Sequence, residues 1–294
     1  MFQEKLKNKK NEVEKYLGKY VKEDSTYKNI INEAMAYSVF AGGKRLRPIL
    51  MLAANELVGG SEEEVYPFAC TIELIHTYSL IHDDLPAMDN DDYRRGRLTN
   101  HKVYGEALAI LSGDGLLNLA YEIMISECIK DNSINKLKAT KVIANSAGIQ
   151  GMIGGQVVDI ISEGKNINQD TVDFINQNKT GELIKASIVA GAMIGGANNR
   201  QIKLLTEYAH YLGLAFQIRD DILDVISTTN KLGKPVKSDV KNGKNNYVSI
   251  NGVEKSEEYV KQLSKKAIEC LDEFQSEKSK FLKEITTYLI NREY

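Results

Sequence analysis

Apolar residues recur three and four positions apart along almost all of this chain, while period-two alternation is scarce. That spacing predicts helix nearly throughout. Only Pro48, Pro67, Pro86 and Pro235 interrupt it. Helices commonly run roughly 10–20 residues, so the chain divides into about ten main helices. No linker rich in Pro, Gly or Ser separates them and no internal repeat is visible, so residues 1–294 read as a single all-α domain. A chain of this size has ample core to bury.

Two segments are apolar nearly all round and belong in the interior of such a bundle, one near Phe68–Asp83 and one near Tyr208–Ser227. Pro67 suits the first turn of the former, and Pro86 should end or kink it just after Asp83–Asp84. The polar stretch after Ser227 carries Lys231, Lys234, Lys237, Lys241 and Lys244. A loop of that length in a compact domain is more often functional than idle.

Aspartates cluster at the ends of these two apolar segments, as DDLPAMDNDD at Asp83–Asp92 and DDILD at Asp220–Asp224. Uncompensated carboxylates are costly in such surroundings. The expectation is that they face each other across a cavity and share a cation. Hard oxygen ligands in this number suit magnesium, which bridges carboxylates to substrate phosphates. Gln217, Asp220, Asp221 and Asp224 lie on one stripe of a 3.6-residue helix, as do His76, Ser79 and Asp83. A solvated acidic stripe would ordinarily carry lysines among its carboxylates, and this one has none. An EF-hand starting at Asp89 would need Gly at its sixth and Glu at its twelfth position, where Arg94 and Asn100 stand.

Basic groups adjoin the acids. Arg94 and Arg95 follow the first cluster, with Arg97 after Gly96, and AGGKRLRP supplies Lys44, Arg45 and Arg47. Guanidinium groups match phosphate oxygens bidentately, so acids for metal and bases for phosphate together imply a diphosphate ligand. Neither a P-loop nor a GxGxxG turn is present, which argues against a nucleotide. The net charge of −2 sets up no field that would attract nucleic acid or an anionic membrane. Cys70, Cys128 and Cys270 are odd in number and scattered, which predicts a reducing, cytoplasmic setting. The N-terminal residues lack the apolar core of a signal peptide. The longest apolar run, Ile188–Ala197, is too short and too glycine-broken for a membrane span, so no membrane insertion is expected.

Taken together, FAGGKRLRP, HTYSLIHDDLPAMDNDDYRRG, GEALAILSGD, GGQVVD, KTGELI and FQIRDDILDV resemble, in order, the motifs of the trans-isoprenyl diphosphate synthases. The resemblance runs from about Tyr37 to Tyr247 and is greatest to bacterial farnesyl diphosphate synthases. It implies the isoprenoid synthase fold, a helical bundle around a deep central cavity, usually as a homodimer, with three magnesium ions. By position, Asp83, Asp89 and Asp220 match metal ligands, with Asp84, Asp221 and Asp224 in or near the coordination sphere. Lys44, Arg47, His76 and Arg95 match the pocket for isopentenyl diphosphate. Arg94, Lys179, Thr180, Gln217, Lys234 and Lys244 match contacts to the allylic diphosphate. The Lys179 carbonyl, the Thr180 hydroxyl and the Gln217 amide are the implied dipoles facing the allylic cation. Asn245–Asn246 stand where the family usually has Ser-Thr, and Asn176 replaces a frequent histidine.

Tyr78 and Ser79 lie five and four residues before Asp83, which places Tyr78 roughly 7.5 Å below the metal end of the helix. In the resembling family an aromatic at that position, with two extra residues inside the aspartate motif, goes with a fifteen-carbon product, so Tyr78 is the expected cavity floor. The reaction implied is condensation of isopentenyl diphosphate with dimethylallyl and then geranyl diphosphate. The alternatives are a geranylgeranyl diphosphate synthase, a non-catalytic partner subunit and a terpene cyclase. Both aspartate motifs are intact, which disfavours a decayed subunit, and a cyclase would have little use for a second diphosphate pocket.

Overall fold

Glu62, Glu63 and Glu64 open helix α4 (Glu62–Asp83), and the other helices assemble around it. The computed structural model describes residues 2–22, 29–226 and 246–292. The helix is apolar on every side, and Phe68, Ile72, Leu74 and Ile75 are fully buried, as expected of an interior helix. Its start lies upstream of the expected one. The three glutamates occupy the positive end of the helix, where anions are favoured, and Pro67 falls within the second turn. At the other end α4 stops at Asp83, with Asp84 as its cap, as Pro86 requires.

Five helices pack on α4: α1 (Phe2–Tyr20), α2 (Asn29–Val39), α3 (Leu46–Val58), α6 (Glu106–Asp131) and α10 (Glu182–Ile194). The short α5 (Asn100–Tyr104) precedes α6, and α7 (Ile134–Ala147) follows it. α8 (Met152–Ser162) and α9 (Gln169–Ile175) lead into a π-helical turn, Asn176–Gly181. α10 (Glu182–Ile194) packs between α3, α7 and α11 (Asn199–Ile226). A second core, containing Ile49, Ile184, Ile188, Leu205, Tyr208 and Leu282, joins these helices to the C-terminal segment. That segment comprises α12 (Tyr247–Asn251), α13 (Val253–Cys270) and α14 (Ser276–Ile290).

Among the described residues the exception to helix is one antiparallel ribbon, β1 (Tyr93–Arg94) and β2 (Arg97–Leu98). Arg95 and Gly96 turn it, with φ of 54° and 75°. Positive φ at both central residues matches the twist of a two-residue hairpin.

One helix was underrated by its sequence. α6 contains an 18-residue window of mean hydropathy 1.4, more extended than the run at Ile188–Ala197. By length and composition it could cross a membrane, but it packs against α2, α4, α5 and α7. Leu111, Ile125 and Ile129 on its outer side are exposed, and so are Ile134 and Leu137 on α7.

Candidate active site

The first aspartate cluster is a turn closed by backbone hydrogen bonds. Met88 and Asn90 donate to Leu85 O at 2.9 and 3.1 Å, and Asp89 N donates to Asp83 O at 2.8 Å. Asn90, at φ 52°, completes the reversal. The residues LPAM thus fold back so that Asp89 stands beside Asp83. Burial, with Asp89 and Asp84 as like-charged neighbours, pushes the Asp83 carboxyl up to about 6, although Lys179 and Arg94 oppose this. Asp84 is buried and held by Arg94, whose Nε lies 2.7 and 2.9 Å from its two oxygens and whose Nη2 lies 2.6 Å from Oδ1. The guanidinium expected to reach the allylic diphosphate is therefore engaged by its own aspartate cluster.

The basic loop divides its labour. Arg45, at φ 51°, turns inward, and its guanidinium binds Glu73 at 2.7 Å and Val39 O at 2.6 Å in a buried pair. Arg47 lines the cavity instead, and its Nε is buried with no hydrogen-bond partner among the described residues. Arg95 donates to Gly42 O, and its guanidinium lies flat over Gly43. A Cβ on Gly43 would sit 2.8 Å from Arg95 Cζ, so glycine is needed for this approach. His76 lines the same cavity as Arg47. Its pKa is held well below the usual histidine value by burial and then by Arg47, Arg95, Arg94 and Arg45, so the ring is neutral at pH 7. Lys44 is exposed. Partial burial and Arg292 lower its pKa, with Asp220 opposing.

Lys179 and Thr180 sit in the π-helical turn, and both line the cavity. Such turns recur at functional sites because they redirect backbone groups. Gly155 of the GGQVVD motif lets α8 meet this turn, since a Cβ there would fall 2.3 Å from Lys179 N. Lys179 Nζ is held by Asp159 of the same motif at 2.6 Å.

The second cluster does not present its carboxylates uniformly. Asp221 and Asp224 are buried, and Asp221 accepts from Gln217 Nε2 at 2.9 Å and from Tyr247 N at 3.1 Å. Asp220 is more exposed and is met by Arg292 Nη2 at 2.6 Å. Asn246 supplies the N-cap of α12, accepting from Ser249 N at 2.9 Å while Ser249 Oγ accepts from Asn246 N at 3.0 Å. Asparagine thus does here what serine or threonine does as a cap. Lys234, Lys244 and Asn245 lie outside the described residues. The side-chain amide nitrogen of Asn176 is buried and lacks a hydrogen-bond partner among the described residues.

A cavity of about 470 Å³ connects several of these groups. Arg47, His76, Asp83, Lys179 and Thr180 contribute to its wall, along with Met88, Leu117, Met152 and Leu183. Tyr78 and Ser79 also line it. Tyr78 is 6% exposed, and its ring meets His82 edge-on at 5.7 Å. Its hydroxyl pKa is pushed up to about 12 by burial.

Among the described residues no three His, Cys, Asp or Glu side chains are grouped so as to hold a metal ion by themselves. The donor set nevertheless fits magnesium: hard carboxylate oxygens, one of them raised in pKa by burial and by like charges that a cation would relieve.

Sequence reasoning missed Glu73, Asp159 and Arg292. Asp159 was within reach, because it ends a quoted motif. Arg292 carried no local signal.

Comparisons with known proteins give the chain's family and fold. Residues 28–287 match the polyprenyl synthetase family. A farnesyl diphosphate synthase from Geobacillus stearothermophilus is 48% identical over 249 residues, covering 83% of this chain and 82% of that protein. A geranylgeranyl diphosphate synthase from Cyanophora paradoxa is 44% identical over 285 residues, 94% of this chain and 95% of that one. The solved structure of a geranyltransferase from Helicobacter pylori, complexed with magnesium and isoprenyl diphosphate, gives a TM-score of 0.83 at 31% identity over 97% and 96% of the two chains. An FPP/GFPP synthase from Zymomonas mobilis gives 0.88 at 34% identity over 98% of both. The chain therefore belongs to the polyprenyl synthetase family and is a trans-prenyltransferase with the isoprenoid synthase fold.

Proposed function

We propose that this chain is a farnesyl diphosphate synthase, condensing isopentenyl diphosphate with dimethylallyl and then geranyl diphosphate. The observation that carries the reading is the cavity, which has Arg47, Asp83 and Lys179 in its wall together with the buried ring of Tyr78. An aromatic ring in an apolar cavity limits the length of an isoprenoid chain anchored by its diphosphate.

In this reading Asp83, Asp89 and Asp220 hold magnesium, three ions per site, which when bound would neutralise the allylic diphosphate and assist its departure. Arg47, Arg95, Lys44 and neutral His76 hold the isopentenyl diphosphate. The Lys179 carbonyl, the Thr180 hydroxyl and the Gln217 amide face the allylic carbon, and an apolar wall excludes water from it. The allylic C–O bond breaks and its electron pair leaves with pyrophosphate. The double bond of isopentenyl diphosphate then forms the new C–C bond, and the proton lost from the adjacent carbon passes to a pyrophosphate oxygen. No side-chain nucleophile takes part.

A second reading, a twenty-carbon product, is favoured by relatives named as geranylgeranyl synthases, such as that of Cyanophora paradoxa. Residues 1–294 function as one domain in the cytoplasm. The active form is a homodimer, because Leu111, Ile125 and Ile129 fall on one exposed face of α6 and a second copy would cover them.

The test is pyrophosphate release with each substrate alone and with both. Release only when isopentenyl and dimethylallyl diphosphates are present together supports a synthase. Release from an allylic diphosphate alone, with a hydrocarbon product, would point to a cyclase, and no release at all to a non-catalytic subunit.

A further inference from the structure

Arg292 lies close to the C-terminus, 72 residues from the aspartate it touches. Its side chain is 6% exposed, whereas that of Asp220 is 43% exposed. One amino group, Nη2, donates to Asp220 Oδ1 at 2.6 Å and to Phe216 O at 3.2 Å. The guanidinium lies 4.2 Å from the centre of the Phe216 ring, and its Nε is buried without a hydrogen-bond partner among the described residues.

The main chain of Arg292 is fastened separately. Arg219 donates to the Arg292 carbonyl from Nε at 3.2 Å and from Nη2 at 2.7 Å. The guanidinium could therefore leave Asp220 without the end of the chain detaching. A simple anchoring role would be met by the Arg219 contacts alone. It does not account for a buried cation aimed at the most exposed carboxylate of the second cluster. The contact is also end-on, through a single nitrogen, and so lacks the bidentate geometry of a permanent Arg–carboxylate lock.

We propose that Arg292 is a tethered counter-cation for Asp220, keeping the second aspartate cluster in charge balance until a divalent metal displaces it. This rests on the metal-binding reading of that cluster. The pair must break for Asp220 to turn to metal, and a guanidinium left nearby repels the incoming ion. Both effects weaken metal binding, so Arg292 sets the metal affinity of the site.

The experiment is a manganese titration of the full chain, followed by the electron paramagnetic resonance of free Mn²⁺. An Asp83→Asn, Asp89→Asn background removes the first cluster's assigned ligands, so that the second cluster dominates the report. Arg292→Gln should bind manganese about two- to fivefold more tightly, the size expected for loss of a partly exposed ion pair. Arg292→Met, which keeps an apolar stem over Phe216, should do the same and guards against a packing defect. Arg292→Lys should stay near the parent. The metal-free melting temperature should fall in the Gln and Met variants, while their manganese-induced rise grows. Parent-like or weaker affinity in both variants would overturn this inference alone. Absence of saturable binding in every protein would overturn the metal reading and this inference with it.

Discussion

Arg45 Nη1 donates to Glu73 at 2.7 Å, with side-chain exposures of 0% and 2%, in a fully buried ion pair that ties the basic loop to the central helix. Arg47, two residues on, lines the cavity and leaves its Nε without a hydrogen-bond partner among the described residues. The two arginines should therefore fail differently. Arg45→Gln strands Glu73 in the core and should cost about 3–5 kcal/mol in denaturant unfolding. Arg47→Ala should leave stability close to wild type and raise KM for isopentenyl diphosphate by roughly 10- to 100-fold, as loss of a charge-assisted phosphate contact of ~1.5–3 kcal/mol does. Arg95→Ala should resemble Arg47→Ala in selectivity. Equal effects on both substrates would mean the two diphosphate pockets are wrongly assigned.

Two of the three metal-assigned aspartates, Asp83 and Asp220, should also differ. Asp83→Asn removes a carboxylate crowded by Asp84 and Asp89, and should abolish turnover while holding or raising metal-free stability. Asp220→Ala should abolish turnover too, but it leaves Arg292 buried without that partner and should lower stability by about 1–2 kcal/mol. Product assays and urea unfolding in chelator check both. Near-normal turnover in either variant would contradict the metal assignment.

His76 gives a pH dependence of definite sign. Its folded pKa is depressed, so below the unfolded value of about 6.5 the unfolded chain takes up a proton that the folded chain refuses. The stability this neutral ring contributes is complete above that pH. As pH falls below it, up to about 1.4 kcal/mol is lost per unit until the folded ring itself titrates. Unfolding free energies of wild type and His76→Gln should differ by a constant above pH 6.5 and change relative to each other below it. A constant difference down to pH 5 would show that the ring is protonated in the fold.

Leu111, Ile125 and Ile129 should bury themselves against a second copy. Light scattering should give a dimer for wild type, and Ile125→Asp with Ile129→Asp should give a monomer. A monomeric wild type at micromolar concentration would remove the dimer from the account.

The parts legible in the sequence were those governed by local spacing. The 3.6-residue period located α4 and α11, and Pro86 located the end of α4. Contacts between distant residues were not legible. Nothing local distinguishes Arg45 from Arg47, because the buried partner Glu73 lies on another helix. Nor does anything in NREY announce a contact with Asp220. The missing lysine on the acidic stripe was read as room for metal alone, whereas an arginine from the chain's end already meets it. The π turn at Lys179 is six residues long, too short to leave a periodic trace.

Product length tests the central claim most directly. Wild-type protein incubated with isopentenyl and dimethylallyl diphosphates and magnesium should release, on mass-spectrometric analysis, mainly the fifteen-carbon diphosphate. Tyr78→Ala, which deepens the cavity, should shift the product to twenty carbons or more. Mainly geranylgeranyl diphosphate from wild type, or an unchanged product from Tyr78→Ala, would contradict the account.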